Sequence, residues 1–243
     1  MSQSVEFNIA KVQQRIRDAE EKYQRSHHSV QLIAVSKTHP AALIRQAAAA
    51  GITEIGENYV QEALKKQAEL VDLPLHWHFI GPIQSNKTRL IAEHFAWVHS
   101  VDRLNIAQRL SKQRPSHLPA LNICLQINIS DEDSKSGIRL EQLDELAEQV
   151  ILLPNLCLRG LMAIPKASDS ESEQRAAFAL LTAAAATLQH KHSRIDTYSG
   201  LDTLSMGMSG DMEAAIAEGA TMVRIGTDIF GPRKREASNE KRE

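Results

Sequence analysis

The sequence predicts an α/β protein: a single (β/α)8 TIM barrel with an added N-terminal helix. Three observations predict it. Eight short, strand-like segments alternate with helical ones from Leu32 onward, the pattern of a parallel sheet with right-handed crossovers. The chain has 243 residues and a 42% hydrophobic fraction, enough for one barrel-sized domain with a full core. After the last apolar run only Phe230-Gly231-Pro232-Arg233 and a charged tail remain. That leaves no length for an eighth full helix, so a helix ahead of the first strand is expected to complete the outer ring. An open, doubly wound sheet is the alternative reading of the same alternation.

Each element follows from a local signal. Val5, Ile9, Val12, Ile16, Ala19 and Tyr23 recur every three or four residues and predict a helix over 4–25. Leu32 to Ser36 is short and apolar, as a fully buried strand should be. Pro40 opens the helix Ala41–Ala50, and Gly51 stops it. Thr53 to Gly56 is a weak strand and Glu57 to Leu70 a helix. Leu75–Ile80 is a strand, Asn86–His94 a helix, and Trp97–Val101 a strand. Asp102 is expected to cap the helix through Lys112. Leu121–Ile129 is the strongest strand, followed by a helix over Leu140–Leu152. Leu156–Ile164 is a strand, Glu171–His192 a long alanine-rich helix, Thr203–Met206 a strand, Asp211–Glu218 a helix, and Met222–Ile225 the last strand. Residues 1–233 form one unit in this reading, and 234–243 a charged, disordered tail.

Composition narrows the function. A formal charge of −2 offers nothing to nucleic acid or an anionic membrane surface. No apolar run reaches the roughly 18 residues of a membrane span, and the N-terminus lacks a signal-peptide pattern, so the cytoplasm is the expected compartment. Cys124 and Cys157 lie in strand-like runs without ligand spacing and read as buried, reduced thiols.

In such barrels function sits at the C-terminal ends of the strands. There stand Lys37, Asn58, His78, Ser100, Asn128, Met162, Ser205 to Ser209, and Arg224 to Thr227. Lys37 ends a buried strand, whereas Lys65, Lys66, Lys112 and Lys191 read as solvated. A buried lysine is either ion-paired or has a lowered pKa, and the lowered form is an amine able to attack a carbonyl. Ser205-Met206-Gly207-Met208-Ser209-Gly210-Asp211 precedes a helix and offers free amides to a phosphate, or is an ordinary capped helix start. Alternation puts Arg224 and Gly226 on one strand face. Gly226 admits a close ligand; Arg224 meets either a ligand or an acid such as Glu57. His76 and His78 share a face, but a two-histidine metal site would need a third ligand and no carboxylate stands obviously nearby, so no metal site is predicted. Together these residues look like a site for a phosphorylated aldehyde.

The motifs Val35-Ser36-Lys37-Thr38, Gly56-Glu57-Asn58-Tyr59-Val60-Gln61-Glu62, His76 through Lys87, Ser205 through Asp211 and Val223 through Gly231 closely resemble the pyridoxal phosphate homeostasis proteins, the YggS/PROSC family. The resemblance runs from Leu32 to Arg233. It implies a barrel of the alanine racemase N-terminal type (PLP fold type III). It implies pyridoxal 5′-phosphate (PLP) bound covalently as a Schiff base to Lys37. Ser209, Gly226 and Thr227 would hold the phosphate, Arg224 would face the pyridine nitrogen, and Asn58 and Met162 would lie near the cofactor. His39 stands where several family members carry a second lysine, so a lysine role there does not transfer. An arginine keeps its proton, so the ring should be a poor electron sink. The racemases' β-domain, with its catalytic tyrosine and main dimer contacts, has no counterpart in this length, and no second acid/base group is evident. The resemblance therefore implies a monomeric PLP carrier, buffer or regulator affecting amino-acid and keto-acid balance, without catalytic residues of its own, serving PLP-requiring apo-enzymes. The alternative is a weak PLP-dependent amino-acid racemase or related enzyme.

Overall fold

The computed structural model describes residues 4–130, 132, 136–192 and 200–232; the tail predicted over 234–243 lies outside them. It is a closed barrel of eight strands in sequence order, which excludes the open sheet. The strands are β1 Gln31–Val35, β2 Glu54–Glu57, β3 His76–Phe79, β4 Trp97–Val101, β5 Leu121–Ile127, β6 Leu156–Ala163, β7 Thr203–Ser205 and β8 Met222–Ile225. All pair in parallel, and closure comes from β1, which pairs Ala34 with Ile55 of β2 and Ile33 with Arg224 of β8.

Between the strands run α2 Ala41–Ala49, α3 Val60–Glu69, α4 Thr88–His94, α5 Leu104–Gln113, α6 Leu143–Ile151, α7 Glu171–His192 and α8 Met212–Ala217. Beyond β8 lies only the four-residue α9 Thr227–Phe230. The N-terminal helix α1, Val5–Lys22, packs on α2, α8 and α9. Ser4 caps it, its Oγ accepting from the Phe7 amide at 3.2 Å. Val5, Ile9, Val12, Ile16 and Ala19 form its buried face, so α1 closes the outer ring where a full final helix is missing.

Several predicted boundaries move by a few residues, three of them with a cause visible in the structure. α3 begins at Val60, not Glu57, because Glu57 ends β2 with its carboxylate held by Ser36 and Lys66. α5 is capped by Arg103 rather than Asp102, with no side-chain cap bond. Pro40 caps α2 from just outside it.

The main core fills the layer between barrel and helices, with Ile44, Ile91, Ile106, Leu110, Phe178 and Leu181 among its fully buried side chains. The barrel interior differs. Barrels of this class are usually filled with branched apolar side chains, yet here Glu54, His78, His99, Ser205 and Arg224 are buried and bonded to one another across it. No helix among the described residues is long and apolar enough to cross a membrane.

Candidate functional site

A pocket opens at the C-terminal mouth of the barrel, lined by Val35, Lys37, His39, Asn58, Ile80, Ile164, Met208, Ser209, Gly210, Arg224, Gly226 and Thr227. It brings together every residue that the resemblance assigns to the cofactor except Met162, whereas His78, Ser100, Asn128 and Ser205 at the other strand ends do not line it. Met162 is fully buried on β6, in register with Ser205, and does not line the pocket.

Lys37 follows β1 directly and is presented by a segment pinned on both sides. Before it, Ser36 donates its hydroxyl to Glu57 Oε1, and its carbonyl accepts from Lys66 Nζ at 2.8 Å. After it, Thr38 takes a left-handed φ of 66° and its amide donates to Glu62 Oε1. Such a φ is strained for a β-branched residue, and the Glu62 bond holds it. Lys66 bridges Glu57 and Glu62, each at 2.6 Å.

This cluster overturns two expectations. Lys66 reads from sequence as a solvated surface lysine, but it is 5% exposed. Glu57 was a possible partner for Arg224, but Lys66 takes it. A lysine one turn after a glutamate on a helix looks like a surface pair; only burial of β2's end turns it inward. Burial pushes the Glu57 carboxyl up, and Lys66 only partly opposes this.

The opposite wall is made of backbone. Gly207 turns with a φ of 94°, and the Asp211 side chain accepts from the Met208 amide at 2.6 Å, shaping the Ser209-Gly210 turn ahead of α8. Burial raises the Asp211 carboxyl. A Cβ on Gly226 would stand 3.1 Å from the Val35 carbonyl, so glycine lets β8 end close against β1. From outside, Arg15 of α1 braces this wall: it donates to the Ser209 carbonyl at 3.1 Å, to Asp228 at 2.7 Å and to Glu213 at 2.8 Å.

Arg224 lines the floor and is 4% exposed. It donates to Ser205 Oγ at 2.7 Å and to the Ala163 carbonyl at 2.9 Å, and its peptide amide donates to the Gly207 carbonyl at 2.9 Å. Among the described residues no carboxylate forms an ion pair with it. Burial lowers it to about 10, with Asp211 and Cys124 acting weakly the other way, so it stays cationic at neutral pH.

Behind Arg224 lies what sequence reasoning missed. Ser205 Oγ meets His99 Nδ1 at 2.8 Å, His99 Nε2 meets His78 Nδ1 at 2.9 Å, and His78 Nε2 meets Glu54 Oε2 at 2.7 Å. Glu54 Oε1 also meets His76 Nδ1 at 2.8 Å. A carboxylate does stand beside His76 and His78, contrary to expectation, supplied by the neighbouring strand. Burial alone would raise the Glu54 carboxyl, but the bonds to His78 and His76 hold it at about 2. Burial lowers His78, partly offset by Glu54, and lowers His99 well below the usual range, aided by His78 and Arg224. The signal was present as polar residues within the strand segments: Glu54, His76, His78 and His99 on the adjacent strands β2, β3 and β4, and Ser205 on β7.

The thiols follow expectation at one position only. Cys124 is buried, and burial pushes it up to about 12; Cys157 is half-buried, and neither is in a disulfide.

The pocket fits a phosphorylated pyridine aldehyde on the evidence of its own atoms. Asn58 lines it with a buried Oδ1 that accepts no hydrogen bond from the described residues, which suits a ligand hydroxyl. Lys37 lies in the same pocket as the Ser209-Gly210 and Gly226-Thr227 turns, with Arg224 on the floor. Ile164 and Met208, 39% and 36% exposed, make an apolar rim.

Comparison with known proteins agrees. The alanine racemase N-terminal domain family matches residues 7–234. The pyridoxal phosphate homeostasis protein of Pseudomonas aeruginosa is 63% identical over 226 residues, 93% of this chain and 94% of that one. The protein of that name from Escherichia coli K12 is 53% identical over 232 residues, 94% of this chain and 97% of that one. PipY of Synechococcus elongatus PCC7942, solved with PLP bound, is 45% identical, with a TM-score of 0.77 over 88% of this chain and 98% of its own. Alanine racemase of Corynebacterium glutamicum, at 15% identity and a TM-score of 0.67, covers 94% of this chain and 61% of its own, and shares the fold.

Proposed function

The chain belongs to the pyridoxal phosphate homeostasis protein family, on the alanine racemase N-terminal barrel, and from that premise we propose that it binds PLP covalently at Lys37 and acts in PLP homeostasis as a carrier, buffer or regulator. The observation that carries the proposal is the pocket itself: Lys37, the two glycine-containing turns and Arg224 converge on one opening. The solved PLP complex of PipY supports it.

Lys37 would hold PLP through its amine, and the cofactor would supply the aldehyde that this amine takes up. The protein's residues do the rest. The pinned Ser36-Lys37-Thr38 segment fixes where the amine stands. Ser209, Gly226 and Thr227 take the phosphate with a hydroxyl and backbone N–H groups. The Asn58 carboxamide accepts from the ring hydroxyl. Arg224 donates to the ring nitrogen, and because a guanidinium does not give up its proton, that nitrogen stays unprotonated. Its electron-withdrawing power is then low, which favours holding the cofactor over turning over amino acids. The open, apolar rim suits transfer to PLP-requiring apo-enzymes. We take the working unit to be a monomer, a barrel through residue 233, in the cytoplasm, where thiols outside disulfides such as Cys124 and Cys157 persist.

The test is the visible absorbance spectrum of wild type and Lys37→Ala after PLP is supplied. A band in wild type that vanishes in the variant is expected; no band in wild type sinks the proposal. Added amino acids should leave products and stereochemistry unchanged. Racemisation or transamination at a useful rate would make this an enzyme instead.

A further inference from the structure

We propose that Ser205, His99, His78 and Glu54 are positioning residues that act through Arg224, forming a one-way hydrogen-bond relay across the barrel that holds the guanidinium as a donor to the pocket and keeps a ring nitrogen seated there unprotonated. The role at the ring nitrogen rests on the PLP reading; the direction of the relay does not.

The direction follows from the two ends. Arginine has donors only, and a carboxylate accepts only. Arg224 Nη1 therefore donates to Ser205 Oγ at 2.7 Å. With both imidazoles neutral, as their burial favours, the serine hydrogen is directed to His99 Nδ1 at 2.8 Å, an unprotonated acceptor. His99 carries its proton on Nε2 and donates to His78 Nδ1 at 2.9 Å. His78 in turn donates from Nε2 to Glu54 Oε2 at 2.7 Å. For neutral imidazoles one assignment satisfies every bond: both protonated on Nε2. A reversed relay would take from Glu54 its charge-assisted donor.

That direction explains a cation buried without an ion pair. Each donor points away from Arg224, so each dipole turns its negative end toward the guanidinium and its positive end toward Glu54. Both buried charges are stabilised across the barrel by neutral groups, in a low-dielectric interior where such bonds strengthen one another. Trp97 stacks on His78 at 5.6 Å and 9°, covering the relay. The other titratable groups that act on Arg224 are Cys124 of β5 and Asp211 ahead of α8. At the far end His76, with its side chain 64% exposed, and the Thr53 hydroxyl at 3.1 Å supply further donors to Glu54.

Two consequences bear on the pocket. The guanidinium is anchored twice, by Ser205 and by the Ala163 carbonyl, so its plane is fixed before anything binds. And no relay member can pass a proton to the pocket, because Arg224 keeps its own and the serine hydrogen is committed to His99.

The experiment is ¹⁵N NMR of the imidazoles in PLP-free protein at neutral pH, assigned with His78→Gln and His99→Gln. It is paired with titration of wild type, Ser205→Ala and Glu54→Gln by pyridoxine 5′-phosphate, which has no aldehyde. Both histidines should be neutral Nε2–H tautomers. Ser205→Ala should weaken binding about tenfold. Glu54→Gln should weaken it about threefold, although Glu54 does not line the pocket. A purely structural role for Glu54 predicts a lower melting temperature with unchanged affinity. An Nδ1–H tautomer or an imidazolium at either position overturns the relay, as does wild-type affinity in both variants. Wild-type protein with the assigned tautomers that binds neither PLP nor pyridoxine phosphate overturns the cofactor reading instead, and with it the role at the ring nitrogen.

Discussion

On one side of the pocket the chain offers Ser209, Gly210, Gly226 and Thr227, all within short turns that follow β7 and β8. On the floor it offers one side chain, Arg224, held by a run of partners from β7, β4, β3 and β2. The turn side is made largely of backbone, is partly open to solvent and is braced by a surface helix. The Arg224 side is made of buried side chains that depend on one another. The two should therefore fail differently. Damage to the turns should be local and felt in binding, whereas damage to the relay should be felt in stability as well.

The largest effect should come from Arg224→Met. It removes both the donor to Ser205 and the donor to the Ala163 carbonyl while leaving Glu54 charged in the interior. Removing one partner from a buried charged network typically costs about 3 kcal/mol or more. Denaturant unfolding should show that loss, and pyridoxine phosphate binding should drop as well. A variant as stable as wild type would mean the two sides are not different after all.

Acid should separate them next. His78 and His99 are held below their usual 6.5 by burial. As pH falls below 6.5 the unfolded chain takes up protons that the folded chain refuses, so stability declines through that window. Glu54 adds a second decline. Its contribution is complete above its ordinary 4.5 and is lost as pH falls toward about 2. Unfolding followed from neutral pH to about pH 4 should show the first slope. His99→Gln should flatten it, and Ser209→Ala should leave it unchanged. An unaltered slope in His99→Gln would place the acid sensitivity elsewhere.

Ser209→Ala then tests the turn side. Losing one hydroxyl donor to a phosphate should weaken pyridoxine phosphate binding about tenfold, at most about 0.5 kcal/mol of stability being lost with it. Equal losses in binding and stability would erase the contrast.

The same contrast explains what could be read in the sequence. Strand and helix alternation is a local signal, so the barrel and its long elements were legible, down to Trp97–Val101, Glu171–His192 and Met222–Ile225. The turn side was legible for the same reason: Ser209 and Gly226 announce themselves within a few residues. Arg224 stood out as a charge on a strand, but its partners did not. Ser205 lies 19 residues from Arg224, and His99 lies 106 from Ser205. Barrel closure and register join them, and no local pattern encodes either. Lys66 was missed on similar grounds, because burial depends on which residue ends β2.

Arg15 is the smallest break and the most discriminating one. It lies on α1, outside the barrel proper, with its side chain 30% exposed. Its bonds to Glu213, Asp228 and the Ser209 carbonyl hold α8 and α9 to the N-terminal helix. Half-exposed pairs of this kind contribute about 1 kcal/mol or less each, screened by salt. Arg15→Met should therefore lower stability by about 1 kcal/mol at low ionic strength, and less at high salt. Binding should weaken only two- to threefold, about 0.5 kcal/mol, because the turn amides keep their own backbone conformation through Gly207 and the Asp211–Met208 bond. Hydrogen exchange should quicken at Ser209, Gly210 and Thr227 while the His78 and His99 resonances stay in place. If the imidazole signals moved too, the two sides would be one coupled unit, and the helix outside the barrel would be tuning the arginine within it.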